Sequence, residues 1–417
     1  IINSVIALGV KDFILCAGAR NSPLVFVLEK AKGINTLNFF EERSASFFAI
    51  GRSVRDRRPV AVITTSGTAV SEMLSAAVEA TYSQVPLILI TADRPRSYRG
   101  TGAPQSIDQV GIFSKYVETC IDIADVSEPL DFSNWSGRSP IQINVCFGEP
   151  LIDAEISEID ANKIQVLERK SAFFAPGQKR KISAPVILVG SLKEQDVSVV
   201  QKFLESVNAP IYAESISNLR GCESLSTKLL GGGEKSVEHL LKTGACKSVL
   251  RIGGVPTLRM WRDLEEKFEK IPVYSVSDTD FTGLSRRVSH VVGLQNITTF
   301  EIEGTAADLS RELDSVLEEK ILALLSKYPE SEAALLQNLV LKLKSQSVYL
   351  GNSLPIREWD LVHPNDLKLS RVSGHRGANG IDGQLSGFMG WSKSSETQWA
   401  VVGDLTALYD LIALWPS

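Results

Sequence analysis

Residues 60–95 read VAVITTSGTAVSEMLSAAVEATYSQVPLILITADRP, and this stretch decides the fold class. It begins with an apolar, β-branched run at residues 60–63, and a second such run follows at residues 87–90. Between the runs, apolar residues recur at the spacing of one helical face: Val70, Met73, Leu74, Ala77 and Val78. The order predicts a strand, a helix that packs on the sheet, and a second, parallel strand.

The same alternation continues along the chain. Further short apolar runs occur at residues 186–189, 248–252, 273–276, 348–350 and 400–402. Amphipathic segments separate them, which predicts an α/β fold with parallel sheets flanked by helices. Two changes of composition, at residues 168–184 and 318–345, indicate seams between domains. We therefore predict three domains, at residues 1–160, 161–330 and 331–417.

Composition excludes several classes of function. The 417 residues include 44 Lys and Arg against 49 Asp and Glu, a net charge of −5. Without an excess of positive charge, a nucleic-acid or membrane-surface partner is not expected. The apolar runs are too short to cross a bilayer, so we expect no membrane span. The five cysteines are scattered without a CxxC pair, which is typical of reduced thiols in a cytoplasmic protein.

Several polar segments follow directly after predicted strands. Ligands of open α/β sheets bind outside the carboxyl ends of the strands, so these segments form the candidate site. They are CAGARNSP at residues 16–23, FFEERSA at 39–45, TTSGTAV at 64–70, TADRPRSYRGTGAPQSIDQ at 91–109, GNSLPIR at 351–357, GHRGANGIDG at 374–383 and VVGDLTALYDL at 401–411.

Two of these segments carry a carboxylate at a strand end. Glu42 follows the apolar pair Phe39 and Phe40, where desolvation would raise its pKa and let it hold or pass a proton at neutral pH. The alternative is a glutamate that forms a salt bridge with the adjacent Arg43. Asp404 follows the apolar run at 400–402 and could hold Mg²⁺ against phosphates, or it could belong to an ordinary turn.

The other segments offer groups that bind anions. Residues 65–67, Thr-Ser-Gly, stand at a predicted helix N-terminus, where backbone N–H groups bind anionic atoms, although ordinary N-capping explains them equally well. Four arginines lie in the strand-end loops and would suit a substrate with several carboxylates, or they are unrelated surface residues: Arg20, Arg94, Arg357 and Arg376. We interpret four others as a solvated face: Arg52, Arg55, Arg57 and Arg58.

Taken together, the segments resemble those of the 2-succinyl-5-enolpyruvyl-6-hydroxy-3-cyclohexene-1-carboxylate synthases, thiamine-diphosphate enzymes of menaquinone and phylloquinone biosynthesis. Seven family motifs occur in the family's order and extend over the whole chain. They are CAGARN, EER, TSGTA, TADRP, GNSL followed by Arg357, RGANGIDG and GDLTALYDL. The resemblance implies the three-domain fold of thiamine-diphosphate enzymes, with a pyrimidine-binding domain, a central domain and a diphosphate-binding domain.

The resemblance also implies a role for individual residues. Glu42 corresponds to the family's catalytic glutamate, which hydrogen-bonds the aminopyrimidine ring of thiamine diphosphate. The cofactor-binding positions that match are Glu42, Thr65, Ser66, Gly67, Gly403, Asp404 and Leu405, with Asp404 as the ligand of Mg²⁺ or Mn²⁺. The matching substrate positions are Arg20, Arg94, Gln105, Ser353, Arg357 and Arg376, and more loosely Arg259 in the central domain.

The implied reaction is decarboxylation of 2-oxoglutarate, followed by 1,4-addition of the succinyl carbanion equivalent to isochorismate. Both substrates and the cofactor's diphosphate are anionic, so a locally basic pocket fits an acidic protein. In the family, the active site forms between domains of two subunits, which implies a homodimer or homotetramer.

The chain departs from the family pattern at several positions. Ala17 and Ala19 stand where the family usually has Pro and Ser, and Ile412 stands where Asn is common. The family's second metal-binding segment should follow GDLTALYDL by roughly one βαβ step, which is beyond Ser417. We therefore expect the third domain to be incomplete in this chain.

Two other functions remain open from the sequence. Another thiamine-diphosphate enzyme, such as an acetolactate-synthase-like one, would share the glutamate and the metal motif, although TADRP and RGANGIDG argue against it. A homologue without catalytic activity would keep the fold and an anion pocket.

Overall fold

The computed structural model describes residues 1–152, 158–167, 179–304 and 307–415. Its strands are β1 (Asp12–Cys16), β2 (Asn35–Phe39), β3 (Val60–Thr64), β4 (Leu87–Asp93), β5 (Cys120–Ile123), β6 (Ile141–Cys146), β7 (Arg180–Ser183), β8 (Pro185–Val189), β9 (Ile211–Ala213), β10 (Ser248–Ile252), β11 (Val273–Ser277), β12 (Ser289–Val292), β13 (Phe300–Glu303), β14 (Ser347–Leu350), β15 (Arg371–Ser373) and β16 (Gln398–Val401). Its α-helices are α1 (Ile2–Ala7), α2 (Ser22–Glu29), α3 (Glu42–Asp56), α4 (Thr68–Glu72), α5 (Leu74–Ser83), α6 (Glu194–Ser206), α7 (Gly233–Lys242), α8 (Arg259–Glu266), α9 (Ala307–Lys327), α10 (Glu332–Lys342), α11 (Leu354–Val362), α12 (Gln384–Trp391) and α13 (Asp404–Tyr409).

The strands form parallel sheets, as the alternation of apolar runs and amphipathic segments predicts. A six-stranded sheet has the order β2-β1-β3-β4-β6-β5, a five-stranded sheet β12-β11-β10-β8-β9, and a three-stranded sheet β15-β14-β16. Strands β7 and β13 pair separately, again in parallel. The predicted α/β class with parallel sheets flanked by helices is confirmed. The helical stripe at residues 70–78 is interrupted at Met73, which separates α4 from α5.

Alternate residues of the six-stranded sheet supply two separate cores. Ile14 and Val62 belong to one apolar cluster with the helices α3 and α5, whereas Phe13 and Ala61 belong to the cluster that α1 and α2 cover. Because side chains alternate between the two faces of a strand, the sheet is buried on both sides. Strands that are buried on both faces explain why the sequence shows continuous apolar runs.

The chain divides into two compact units. The first comprises the described residues within 1–172, 374–396 and 402–417, and the second those within 173–373 and 397–401. Residues 331–417 thus contribute to both units. Much of the first predicted seam, residues 168–178, lies outside the described residues. The division into domains at 1–160, 161–330 and 331–417 stays a prediction. Among the described residues, we find no helix with the length and apolar character needed to cross a membrane.

The interpretation of residues 52–58 as a solvated arginine face is wrong for three of the four arginines. The Arg55 side chain is 13% exposed and forms an ion pair with Asp56 at 2.7 Å, and the other two pair with a buried acid. The Asp12 carboxylate, at the start of β1, is fully buried. Arg58 forms an ion pair with it, and Arg52 lies 3.7 Å from its other oxygen. A buried carboxylate needs such partners, because burying an unpaired charge is very costly. The spacing of the arginines along the chain contains no sign of the acid that they meet from β1.

Helices α3 and α12, both in the first compact unit, cross with their backbones in contact. A methyl group on Gly51 of α3 would overlap the carbonyl oxygen of Gly387 in α12. One on Gly390 would likewise overlap the carbonyl oxygen of Phe48. At the start of the crossing, the hydroxyls of Ser44 and Ser386 hydrogen-bond at 2.8 Å. The crossing therefore depends on residues without a bulky side chain on both helices.

We predict that Gly51→Ala destabilises the protein. In an isolated helix this change would be favourable, because alanine exceeds glycine in helix propensity by about 1 kcal/mol. Here the added methyl group must push α12 away, and overpacking of this kind costs about 1–3 kcal/mol. Thermal unfolding followed by circular dichroism checks the sign. Gly148→Ala is the control, since no heavy atom lies within 4 Å of its added methyl group. A melting temperature of Gly51→Ala at or above the wild-type value contradicts the close crossing.

Candidate active site

The strand-end loops of the six-stranded sheet meet at one edge, as expected for parallel strands. Gly18, in the loop after β1, packs so closely on Thr65 after β3 that an added methyl carbon would lie 2.6 Å from the Thr65 Cβ. Gly67, two residues further, lies against the backbone of Gln105 in the loop after β4. Three of the predicted segments are therefore neighbours in space. Their contacts require glycine at 18 and 67, where a larger residue would separate the loops.

Glu42 is the first residue of α3. Glu41 caps the helix, with its carboxylate accepting the backbone N–H groups of Arg43 at 3.2 Å and Ser44 at 2.7 Å. The Glu42 carboxylate is half-buried and accepts a hydrogen bond from the Thr64 hydroxyl at 3.2 Å. Burial raises the pKa of Glu42 above its ordinary value, and the bond from Thr64 acts in the opposite direction. The raised pKa is the direction that its position after an apolar strand predicts.

The structure does not show the alternative interpretation of Glu42, a salt bridge with Arg43. The Arg43 Nε lies 3.6 Å from the Glu41 carboxylate instead. The guanidinium also donates to the carbonyl oxygen of Tyr409 at 3.2 Å and lies 4.9 Å from the centre of the Tyr409 ring. Tyr409 ends α13, the helix that Asp404 begins. Within the first compact unit, the start of α3 and the end of α13 are therefore in contact.

The turn at residues 65–67 is held by a buried glutamine that the sequence analysis did not select. Gly67 has a φ of 82° and precedes α4, whose N-terminus has no side-chain cap. The backbone N–H of Gly67 donates to Oε1 of Gln109 at 3.2 Å. The Gln109 amide donates in turn to the Ala92 carbonyl at 3.0 Å and to Asn144 at 2.7 Å. Ordinary N-capping by the hydroxyls of this motif is thus not what the structure shows.

A network of buried polar side chains supports the loop that carries Arg94. Asp93 is fully buried and accepts the Arg94 backbone N–H at 2.8 Å. Its other oxygen accepts from Arg99 and from Asn144, each at 3.1 Å. The Arg94 side chain donates from Nε to the Pro104 carbonyl at 2.8 Å, next to Gln105. Gln105 itself is exposed, with a φ of 56°. The network fixes the backbone on both sides of this loop.

Arg20 is less accessible than a surface arginine. Only 9% of the residue is exposed. Its guanidinium donates to the Phe147 carbonyl at 2.9 Å and forms an ion pair with Glu149 at 3.1 Å. The side chain is therefore held in a fixed direction at the end of the sheet.

Three of the predicted substrate residues belong to the second compact unit. Ser353 directly precedes α11 with a φ of 75°, and Arg357 lies in the first turn of that helix. Both are exposed. Arg259 is the first residue of α8, and its backbone N–H donates to Glu234 at 2.9 Å. Arg376, by contrast, lies half-buried in the first unit, in the loop between β15 and α12.

Asp404 occupies the first turn of α13, after Gly403. Its side chain is exposed, and one carboxylate oxygen accepts the backbone N–H of Leu405 at 2.7 Å. In the part of the chain that the structure describes, no group of three or more His, Cys, Asp or Glu residues is arranged to hold a metal ion. Asp404 is therefore a candidate ligand that belongs to no such group among the described residues.

In the glycine run at residues 231–233, two backbone N–H groups donate to a carboxylate of the protein itself. Asp314, on α9, accepts the backbone N–H groups of Gly231 at 2.7 Å and Gly232 at 2.8 Å. It also accepts the Ser236 hydroxyl. Because these donors are satisfied internally, this helix N-terminus is a structural junction and does not compete with the strand-end loops as a phosphate site.

Comparisons with known proteins agree with the geometry. The family described as "Thiamine pyrophosphate enzyme, N-terminal TPP binding domain" matches residues 1–112, which include Glu42 and the turn at 65–67. A 2-succinyl-5-enolpyruvyl-6-hydroxy-3-cyclohexene-1-carboxylate synthase from Bdellovibrio bacteriovorus is 47% identical over 100% of this chain and 80% of its own length. The enzyme of the same name from Akkermansia muciniphila is 36% identical over 97% of this chain and 77% of its own length.

Identity at this level over the whole chain establishes the family. The matched domain adds thiamine diphosphate as the cofactor, and it covers the edge of the sheet where Glu42 and the loops after β1 and β3 lie. The chain belongs to the 2-succinyl-5-enolpyruvyl-6-hydroxy-3-cyclohexene-1-carboxylate synthase family of thiamine-diphosphate-dependent enzymes.

Proposed function

We propose that this protein decarboxylates 2-oxoglutarate and adds the resulting succinyl unit in a 1,4 sense to isochorismate, in menaquinone or phylloquinone biosynthesis. The observation that carries the proposal is the half-buried Glu42, with its raised pKa, at the strand-end edge of a domain that matches thiamine-diphosphate enzymes. The printed names of the relatives agree with this transferase activity. When bound, the cofactor supplies a nucleophilic carbon and an electron sink for the decarboxylation.

Glu42 fits a role in proton transfer at the cofactor's pyrimidine ring. A raised pKa brings the carboxyl nearer to the balance between its two protonation states at neutral pH than a solvated glutamate is, which suits a group that gives and takes a proton. The hydrogen bond from Thr64 at 3.2 Å fixes the direction of one carboxylate oxygen. Glu41 holds the start of α3, and therefore the position of Glu42, by capping the helix.

We propose that basic side chains bind the carboxylates of both substrates. An arginine offers several donors in one plane, so a side chain that is already anchored at one edge can still bind a carboxylate with another. Arg20 and Arg94 each have such an anchor, on Phe147 and Pro104 respectively. The other proposed substrate contacts are Gln105, Arg259, Ser353, Arg357 and Arg376. Thr65, Ser66, Gly67, Gly403 and Leu405 are proposed to line the cofactor site.

We further propose that Asp404 binds Mg²⁺, or Mn²⁺, next to the cofactor's diphosphate. Its exposed carboxylate at the N-terminus of α13 supports this assignment, since such a hard oxygen ligand suits Mg²⁺ when phosphate oxygens and water complete the shell.

We also propose that the protein works in the cytoplasm as a homodimer or homotetramer. Sedimentation equilibrium of the full-length protein tests the oligomer, and a monomer at micromolar concentration contradicts it.

Turnover of the substrates tests the proposed function directly. The full-length protein is incubated with thiamine diphosphate, Mg²⁺, 2-oxoglutarate and isochorismate, and CO₂ release and product mass are followed. We expect one CO₂ for each adduct formed. Pyruvate replaces 2-oxoglutarate in a parallel reaction. Turnover of pyruvate in place of 2-oxoglutarate would reassign the protein to another thiamine-diphosphate reaction, and binding of the cofactor without any turnover would indicate a homologue without activity.

We predict that Glu42→Gln lowers kcat by roughly 10²–10⁴-fold, the usual contribution of a positioned acid or base. The amide keeps the shape and the bond with Thr64 but cannot exchange a proton. Steady-state kinetics measure the loss, and circular dichroism verifies the fold. Glu29→Gln, an exposed residue at the end of α2 in the same unit, is the control and should keep full activity. A Glu42→Gln enzyme within threefold of wild type would remove Glu42 from the mechanism.

The pH dependence of kcat/KM tests the hydrogen bond from Thr64. That bond lowers the pKa of Glu42 against the larger effect of burial, so Thr64→Val raises this pKa further. The limb of the profile that reports Glu42 should therefore move to higher pH. Thr299→Val is the control, because the Thr299 hydroxyl donates to the Asn296 carbonyl at 2.7 Å in the second unit. A limb that stays in place, or moves to lower pH, shows that the titrating group is not Glu42.

Asp404→Asn tests the metal assignment by binding and does not require turnover. Asparagine lacks the charge that favours a divalent cation, so we expect at least roughly tenfold more Mg²⁺ for half-saturation with the cofactor. Calorimetric titration of the cofactor at graded Mg²⁺ concentrations measures the requirement. Glu396→Gln, an exposed acid of the same unit, is the matched control. An unchanged Mg²⁺ requirement in Asp404→Asn excludes Asp404 as a ligand.

A further inference from the structure

Glu79 is a buried acid that the proposed mechanism does not use. It lies on α5 in the first compact unit and is 3% exposed. Its two carboxylate oxygens accept the backbone N–H groups of Gly377 and Ala378, each at 2.7 Å. Gly377 directly follows Arg376, one of the residues proposed to bind substrate. The contact therefore joins a helix of the first 100 residues to a loop nearly 300 positions later.

The loop lies directly on α5 at this point. A methyl group on Gly377 would overlap the carbonyl oxygen of Glu79 and would lie 2.8 Å from the backbone nitrogen of Ser83. At the other end of the loop, a methyl group on Gly383 would overlap the ring of Phe47. The loop is thus held at both ends, by a carboxylate at 377–378 and by an aromatic ring at 383.

The ionised form of Glu79 costs the protein stability, which a residue with only a structural role would not require. Burial raises its pKa to about 7, while the N–H groups of Gly377 and Ala378 and the charge of Arg376 act in the opposite direction. Because its folded-state pKa lies above the unfolded one, the contribution of Glu79 to stability is greatest at low pH and is lost as pH rises through about 7. The ionised carboxylate therefore costs stability, and the loop that it binds offsets only part of this cost. Functional sites are where proteins commonly retain such costs.

We propose that Glu79 is a positioning residue, whose carboxylate fixes the backbone after Arg376 so that the guanidinium faces its substrate. The inference rests on the proposed function, because it takes Arg376 as a substrate contact. Because one carboxylate accepts both N–H groups, the backbone of Arg376, directly before them in the chain, has little freedom to rotate. Loss of one of these hydrogen bonds should therefore change the position of Arg376 before it affects the stability of the fold.

Glu79→Gln is the sharpest test, because it keeps the size of the side chain. The amide oxygen still accepts one N–H group, but the NH₂ group faces the other donor and cannot accept. We expect KM for one substrate to rise roughly tenfold, as for the loss of one charge-assisted hydrogen bond. We expect kcat to change less. The affected substrate should be the one whose KM is raised by Arg376→Lys, and the double variant should be no worse than the poorer single variant.

Hydrogen exchange provides a second readout that does not depend on activity. At least one of the amides of Gly377 and Ala378 should exchange faster in Glu79→Gln than in the wild type, with the cofactor bound in both. Thr81→Val is the matched control, since the Thr81 hydroxyl lies on the same helix and donates to the carbonyl oxygens of Ala77 and Tyr116, both at 2.8 Å. It should change neither the exchange nor KM.

The outcomes separate the two proposals. Faster exchange with unchanged KM for both substrates means that Glu79 is only structural, which overturns the inference. Unchanged exchange overturns it as well. If the wild type turns over neither substrate, the proposed function fails, while the exchange experiment still reports whether Glu79 holds the loop.

Discussion

The contact between α3 and α12 is the constraint on which the rest of the first compact unit depends. Glycines on both helices let the two backbones touch, at Gly51 against Gly387 and at Gly390 against Phe48. Helix α3 begins with Glu42, and α12 follows directly on the loop that contains Arg376. A single close crossing therefore joins two helices, one carrying the residue proposed to handle the proton and the other following a proposed substrate-binding loop. Buried Asp410 strengthens it by accepting the Ser386 backbone N–H at 2.7 Å and its hydroxyl at 2.9 Å.

Backbone groups around the site are held by buried polar side chains. Gln109 holds Gly67, Asp93 holds Arg94, and Glu79 holds Gly377 and Ala378. Each of these side chains is nearly inaccessible to solvent, so its hydrogen bonds are strong and their geometry is specific. The residues proposed to face a ligand are thus placed by a layer of polar groups behind them, as preorganised sites require.

Much of the fold follows from local patterns in the sequence. The apolar runs at 60–63 and 87–90 become β3 and β4, and the rule that ligands bind at the carboxyl ends of parallel strands selects the loops that meet at Gly18, Thr65 and Gly67. The raised pKa of Glu42 also follows from its place after an apolar strand. Such predictions succeed because they depend on residues close together in the chain.

Long-range partners could not be predicted in this way. The pairing of Asp12 with Arg52 and Arg58, and that of Glu79 with the loop at 377–378, joins segments that share no local pattern. The role of Gln109 was missed for the same reason, although it stands only four residues after Gln105 in a motif that the sequence analysis singled out. A buried polar residue shows its purpose only when the donor or acceptor that faces it is known.

A structure of the full-length protein with thiamine diphosphate and Mg²⁺ tests the central claim most directly. The account predicts the pyrimidine ring within hydrogen-bonding distance of the Glu42 carboxylate, at the edge of the sheet where the loops after β1 and β3 meet. A ring bound elsewhere, with Glu42 in contact only with solvent and Thr64, would contradict it.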